Sequence, residues 1–152
     1  MSVRVVPFAE LAGLVGQELG VSEPLVVSAE RIRQFADATD DHQWIHLDVE
    51  RTARESPYGA PVAHGYLTLS LLPALRASTF EITGVRMLVN YGSNRVRFPS
   101  AVRAGSTIRA SFVLAGHEPI EGGVQLTLKV TVTEVGAPKP CLAAETLTRC
   151  YA

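Results

Sequence analysis

From Val124 to Thr133 the chain alternates without a fault. Val124, Leu126, Leu128, Val130 and Val132 are apolar, while Gln125, Thr127, Lys129, Thr131 and Thr133 are polar or charged. Successive strand side chains point to opposite faces, so this period of two makes a sheet with one apolar and one wet face. Ile108, Ala110, Phe112 and Leu114 repeat the pattern, and Gly122-Gly123 supplies a turn between the two runs. Val85, Met87, Val89 and Tyr91 alternate as well; Gly92-Ser93-Asn94 is expected to break that strand before Arg95 to Phe98. Leu142 to Tyr151 reads as a last strand. An apolar sheet face must be covered, and one segment suits the task. From His64 to about Thr79, residues Tyr66, Leu67, Leu69, Leu71, Leu72, Ala74 and Leu75 are apolar around nearly the whole circumference of a helix. A helix of that kind is a buried one. Pro73 removes a backbone donor, so a kink or an early end is expected there. The expected fold is α+β, an antiparallel sheet wrapped over a buried helix.

The 152 residues suffice for a single domain, taken as 1–152, with no linker or repeat. Val3 to Leu19 opens it as a short strand and helix. A firmer helix starts at the N-cap Ser28, gathers Ile32, Phe35 and Ala36 into one apolar face, and ends near Asp40. A formal net charge of −1 argues against a nucleic-acid partner or a polybasic membrane anchor. The uncharged run from Ser56 to Leu75 is punctuated by Pro57, Gly59, Pro61, Gly65 and Pro73, which argues against a membrane span. Glu10 and Glu18 fall where a signal peptide needs an apolar stretch. Cys141 and Cys150 sit an odd nine residues apart, too far along one strand to pair, and unpaired thiols point to the cytoplasm.

The densest polar chemistry is Asp40-Asp41-His42-Gln43-Trp44-Ile45-His46, after the first helix. Asp41 and His46 face one substrate only if the helix stops between them. Three readings of these residues stand side by side: solvated groups at a helix C-terminus, a metal site built on His42 and His46 with Asp41, or an acid–base pair. A second cluster, Ala63-His64-Gly65, sits at the mouth of the buried helix. Gly65 has no side chain to keep a substrate oxygen from its N–H, although it also suits tight helix packing.

Phe35-Ala36-Asp37-Ala38-Thr39-Asp40-Asp41-His42-Gln43-Trp44-Ile45-His46 followed by Ala63-His64-Gly65 resembles the MaoC-like family of (R)-specific enoyl-CoA hydratases and 3-hydroxyacyl-thioester dehydratases. Asn94-Arg95-Val96-Arg97-Phe98 is similar to the strand that follows in that family. Three positions depart from its pattern: Asp40 stands for glycine, Gln43 for asparagine and Trp44 for proline. Aspartate tolerates the left-handed conformation that a helix-ending glycine supplies.

The resemblance implies the hot dog fold, a sheet around a long central helix from His64 to Thr79, and a homodimer. It implies that Asp41 and His46 are catalytic, with Gly65, His64 and Gln43 on the oxyanion and substrate side. The implied reaction is reversible hydration of a trans-2-enoyl-CoA or acyl-carrier-protein thioester, with no cofactor and no metal. A thioesterase and a non-catalytic acyl-thioester-binding subunit on the same fold are the rival expectations.

Overall fold

The computed structural model describes residues 2–152. Strand β1 (Arg4–Pro7) leads through a 3-10 turn (Phe8–Leu14) to β2 (Glu18–Val21) and β3 (Leu25–Val27). Three helices follow, α1 (Ala29–Thr39), α2 (Trp44–Leu47) and α3 (Val49–Glu55). Then come α4 (Gly65–Ser70), α5 (Leu72–Ala77) and β4 (Phe80–Thr83). The chain finishes with four long strands, β5 (Met87–Arg97), β6 (Ser106–Ile120), β7 (Gly123–Glu134) and β8 (Pro140–Tyr151). The main sheet is antiparallel in the order β2-β6-β7-β8-β5, with β3 also paired to β6. A small parallel pair, β1 with β4, lies apart from it. This is the hot dog architecture that the sequence implied.

The alternation in β6 and β7 survives intact: Ile108, Ala110, Phe112, Leu114, Val124, Leu126, Leu128, Val130 and Val132 are all buried. They pack with Leu67, Leu72 and Leu75 of α4 and α5 in one core. Each large apolar side chain so buried contributes about 1.5–3 kcal/mol. Phe80 meets Phe112 edge to face, ring centroids 5.7 Å apart, where β4 closes the core.

Two expectations need correction. The Gly92-Ser93-Asn94 break is no break: β5 continues through it, and the ladder to β8 shifts register between Asn90 and Gly92 and again between Ser93 and Arg95. An edge strand can bulge without ending, because only one neighbour has to follow the irregularity. The central helix is interrupted as Pro73 implied, being two helices that meet at Leu71. Pro73 sits within the first turn of α5, where its missing N–H costs nothing. The apolar girth of α4 and α5 is also not fully covered, since Tyr66 and Ala74 lie on a side that no part of the sheet reaches. Cys141 and Cys150 are separate buried thiols at the two ends of β8. Among the described residues, no helix is long and apolar enough to cross a membrane.

Helix α1 begins as expected, Ser28 accepting a hydrogen bond from the Arg31 N–H. It ends at Asp40, the one non-glycine residue with positive φ among those described, at φ 60° and ψ 22°. A side chain with a branched β-carbon suffers there, by about 1–2 kcal/mol relative to an unstrained residue. Asp40→Val should lose about that much stability in urea denaturation, while Asp40→Gly should be at least as stable as the natural chain. A valine variant as stable as the natural chain would contradict the assignment of strain to this position.

Candidate active site

The left-handed turn at Asp40 ends α1 and redirects the chain, so that Asp41 and His46 belong to different elements. His46 lies on the single turn α2, and its backbone N–H donates to the Gln43 carbonyl. Asp41 lies in the connection, where its Oδ1 accepts from the Gln43 N–H at 3.4 Å. Five residues apart in sequence, the pair converge because the helix stops between them. The carboxylate of Asp41 and ring nitrogens of His46 and His64 all lie within 4.8 Å of one another.

Segment 61–64 fixes this grouping. The Val62 N–H donates to the Ile45 carbonyl at 3.0 Å, and the His46 Nδ1–H donates back to the Val62 carbonyl at 2.6 Å. The Ala63 N–H in turn donates to Val102 and the Ala104 N–H to Pro61, tying the segment to the chain that leads into β6. With Nδ1 committed to Val62, the free lone pair of His46 is on Nε2. His46 is buried, and that desolvation is the main influence lowering its pKa from 6.5. The Val62 hydrogen bond and the Asp41 charge oppose the shift, and His64 adds to it. A pKa below 6.5 leaves His46 a neutral base at pH 7.

Gly65 opens α4, so its N–H has no acceptor within the helix. Among the described residues no other backbone or side-chain acceptor takes it either. It borders a cavity of about 300 Å³ lined by Ile45, His46, Val62, Thr68, Phe98 and Cys141 among others. The space above its α-carbon is occupied: a Cβ there would stand 2.9–3.1 Å from the ring of Phe98. Phe98 is thus a wall of the site that sequence reasoning placed only as the end of a strand. The signal was the Arg95-Val96-Arg97-Phe98 ending of that strand, with nothing in it to say which residue the ring would cover.

The other expected residues fall differently. His64 is 3% exposed and is not part of this cavity's lining; its ring stacks on His46 with centroids 3.7 Å apart and planes 22° apart. Gln43 is exposed and caps α2 rather than lining the cavity. His42, half of the metal reading, turns away to Asp37, with Nε2 2.8 Å from Oδ1. His64 takes its place beside Asp41 and His46, but two imidazoles stacked nearly parallel cannot both aim an in-plane lone pair at one ion. Asp41, His46 and His64 therefore do not fit a three-ligand metal site.

The Asp41 carboxylate lies beside His46, and His46 shares a cavity with the free backbone N–H of Gly65; similarity to known proteins decides the family. The MaoC-like domain matches residues 10–136. The chain belongs to the MaoC-like dehydratase family. It is 44% identical to 3-hydroxyacyl-thioester dehydratase Z of Mycobacterium tuberculosis over 142 residues, 93% of either chain. It is 46% identical to nodulation protein N of Rhizobium leguminosarum bv. viciae over 143 residues, 92% of this chain and 88% of that one. Its fold superposes on the R-hydratase PhaJ1 of Pseudomonas aeruginosa with a TM-score of 0.73 at 22% identity, covering 98% of this chain and 88% of that one.

The contact between Gly65 and Phe98 generates a prediction within this MaoC-like site. Gly65→Ala should cost about 1–3 kcal/mol, the usual cost of overpacking, because the ring must swing aside. Combining it with Phe98→Ala should recover most of that loss. Additive losses in denaturant unfolding would show that something other than the ring constrains position 65.

Proposed function

We propose that this MaoC-like protein catalyses the reversible (R)-specific hydration of trans-2-enoyl thioesters, carried on coenzyme A or an acyl carrier protein, to 3-hydroxyacyl thioesters. The observation that carries the reading is the convergence of the Asp41 carboxylate on the neutral His46, which shares a cavity with the unpartnered Gly65 N–H. In hydration, Asp41 and His46 hold one water. As its oxygen bonds to the β-carbon, the pair takes its proton through His46 Nε2. The C=C electrons move towards the thioester oxygen, where the Gly65 N–H stabilises the developing charge, a contribution worth about 2.7–4 kcal/mol in comparable sites. The charge returns to the α-carbon, which takes the proton back from the pair; one O–H bond is broken and one C–H bond made. Dehydration runs the same steps in reverse. No step draws on a metal or a redox cofactor, and the two buried thiols of Cys141 and Cys150 suit a reducing, cytoplasmic setting.

Crotonyl-CoA tests the reading directly. Enone absorbance should fall without release of thiol, and an (R)-3-hydroxyacyl product should be consumed by an enantiospecific dehydrogenase. Asp41→Asn and His46→Ala should each lower turnover by about 10²–10⁴-fold. Because His46 must be neutral and its pKa lies below 6.5, the midpoint of the acid-side decline in kcat/KM should fall below pH 6.5. Thiol release in place of hydration would make the protein a thioesterase, and inactivity towards enoyl and acyl thioesters alike would leave a binding subunit.

We further propose a homodimer. β5 pairs on one side only, to β8, and exposes Met87, Val89 and Tyr91. Beside it, Tyr66, Ser70, Pro73, Ala74 and Ala77 form one uncovered face along α4 and α5. An open edge next to an apolar helix face is satisfied by a second copy across a two-fold axis. Sedimentation should give twice the 16.3 kDa chain mass; a fully active monomer would remove this proposal.

A further inference from the structure

We infer that His64 is a positioning residue for the acid–base pair, holding Asp41 and His46 in register without touching substrate. The inference rests on the hydratase reading of the site.

Three contacts carry it. The His64 Nε2–H donates to the backbone carbonyl of Asp41 at 3.0 Å, across 23 residues of sequence. That carbonyl lies between the end of α1 and the start of α2, so neither helix provides it with a donor. The face of the same ring stacks on His46 at 3.7 Å. Phe35, from the last turns of α1, packs against the ring with centroids 4.9 Å apart and planes 56° apart. One buried imidazole therefore touches the helix before the site, the backbone of the acid and the ring of the base.

The backbone of His64 is equally committed. Its carbonyl accepts from the Leu67 and Thr68 N–H groups at 3.0 and 3.2 Å, which anchors it as the cap of α4. The ring is thus fixed to the core helix at one end and to the acid's loop at the other. Nδ1, its remaining ring nitrogen, is buried without a partner. A ring that served as a proton carrier to substrate would present that nitrogen at an accessible surface, and here it is sealed off. Asp41 itself is exposed, with one 3.4 Å hydrogen bond to its carboxylate, so its backbone anchor decides where the carboxylate sits.

Replacements at position 64 separate the donor from the ring. His64→Phe keeps a ring to stack but has no N–H for Asp41. His64→Gln puts an amide N–H near the position of Nε2, and His64→Asn is too short to reach. With crotonyl-CoA, Phe and Asn should lower kcat by about 10–100-fold, the size of loss that a displacement of about 1 Å can produce. KM should stay within about threefold, and Gln should recover kcat to within about fivefold of the natural enzyme. In an Asp41→Asn background, adding His64→Phe should slow turnover by no more than about twofold, since the residue acts through Asp41. If His64→Phe does not fold, as judged by circular dichroism, the Gln and Asn pair reads the same donor.

Natural kcat in folded His64→Phe or His64→Asn would overturn the inference. So would a raised KM at unchanged kcat, which marks substrate contact, or full additivity with Asp41→Asn. These outcomes differ from failure of the hydratase reading, in which the natural enzyme does not hydrate crotonyl-CoA or Asp41→Asn leaves hydration intact.

Discussion

Everything in this molecule depends on burying one side of α4 and α5 against the apolar face of β6, β7 and β8. Leu67, Leu72 and Leu75 meet Phe112, Leu114, Leu126, Leu128, Val130 and Leu142 there in one core. This burial is the large favourable term, and it is indifferent to chemistry. Its functional consequence is geometric. Once the helix is seated, its first residue, Gly65, and its cap, His64, have fixed positions at one end of the sheet. The polar groups of the site are then arranged around a point that the core has already set.

The second layer of order is a short series of hydrogen bonds. Val62 exchanges bonds with Ile45 and His46, Ala63 bonds to Val102, and His64 reaches Asp41. Each bond contributes little net stability, about 0.5–1.5 kcal/mol. Their value lies in direction. The Val62 carbonyl holds one nitrogen of His46 as a donor and so leaves the other as a base. The same burial that protects this bond keeps the imidazole uncharged. Stability and reactivity of His46 therefore come from one environment.

The departures from the family pattern fall outside this arrangement. Asp40 takes the left-handed conformation in which the family places glycine, so the turn survives with a strained side chain. Trp44, in place of proline, is half-buried on α2 beneath the guanidinium of Arg51, 4.1 Å from its ring centroid. Gln43 caps the same helix in solvent.

Much of this was legible in the chain alone. The alternation in β6 and β7, the N-cap at Ser28, the turn at Asp40 and the apolar run after His64 are local signals, and local signals translate directly into period, cap and turn. Asp41, His46 and Gly65 are singled out by the resemblance of their motifs to the MaoC-like pattern, since the residues alone leave three readings open. Tertiary structure alone decided the rest. The bulges in β5 depend on its pairing with β8, a neighbour fifty residues away in sequence. The ring of Phe98 over Gly65, the turn of His42 away from the site and the stacking of His64 beneath His46 are side-chain choices between elements. A sequence period reports which face a residue occupies within its own helix or strand. It does not report what that face will meet, because the partner is chosen by how the elements pack.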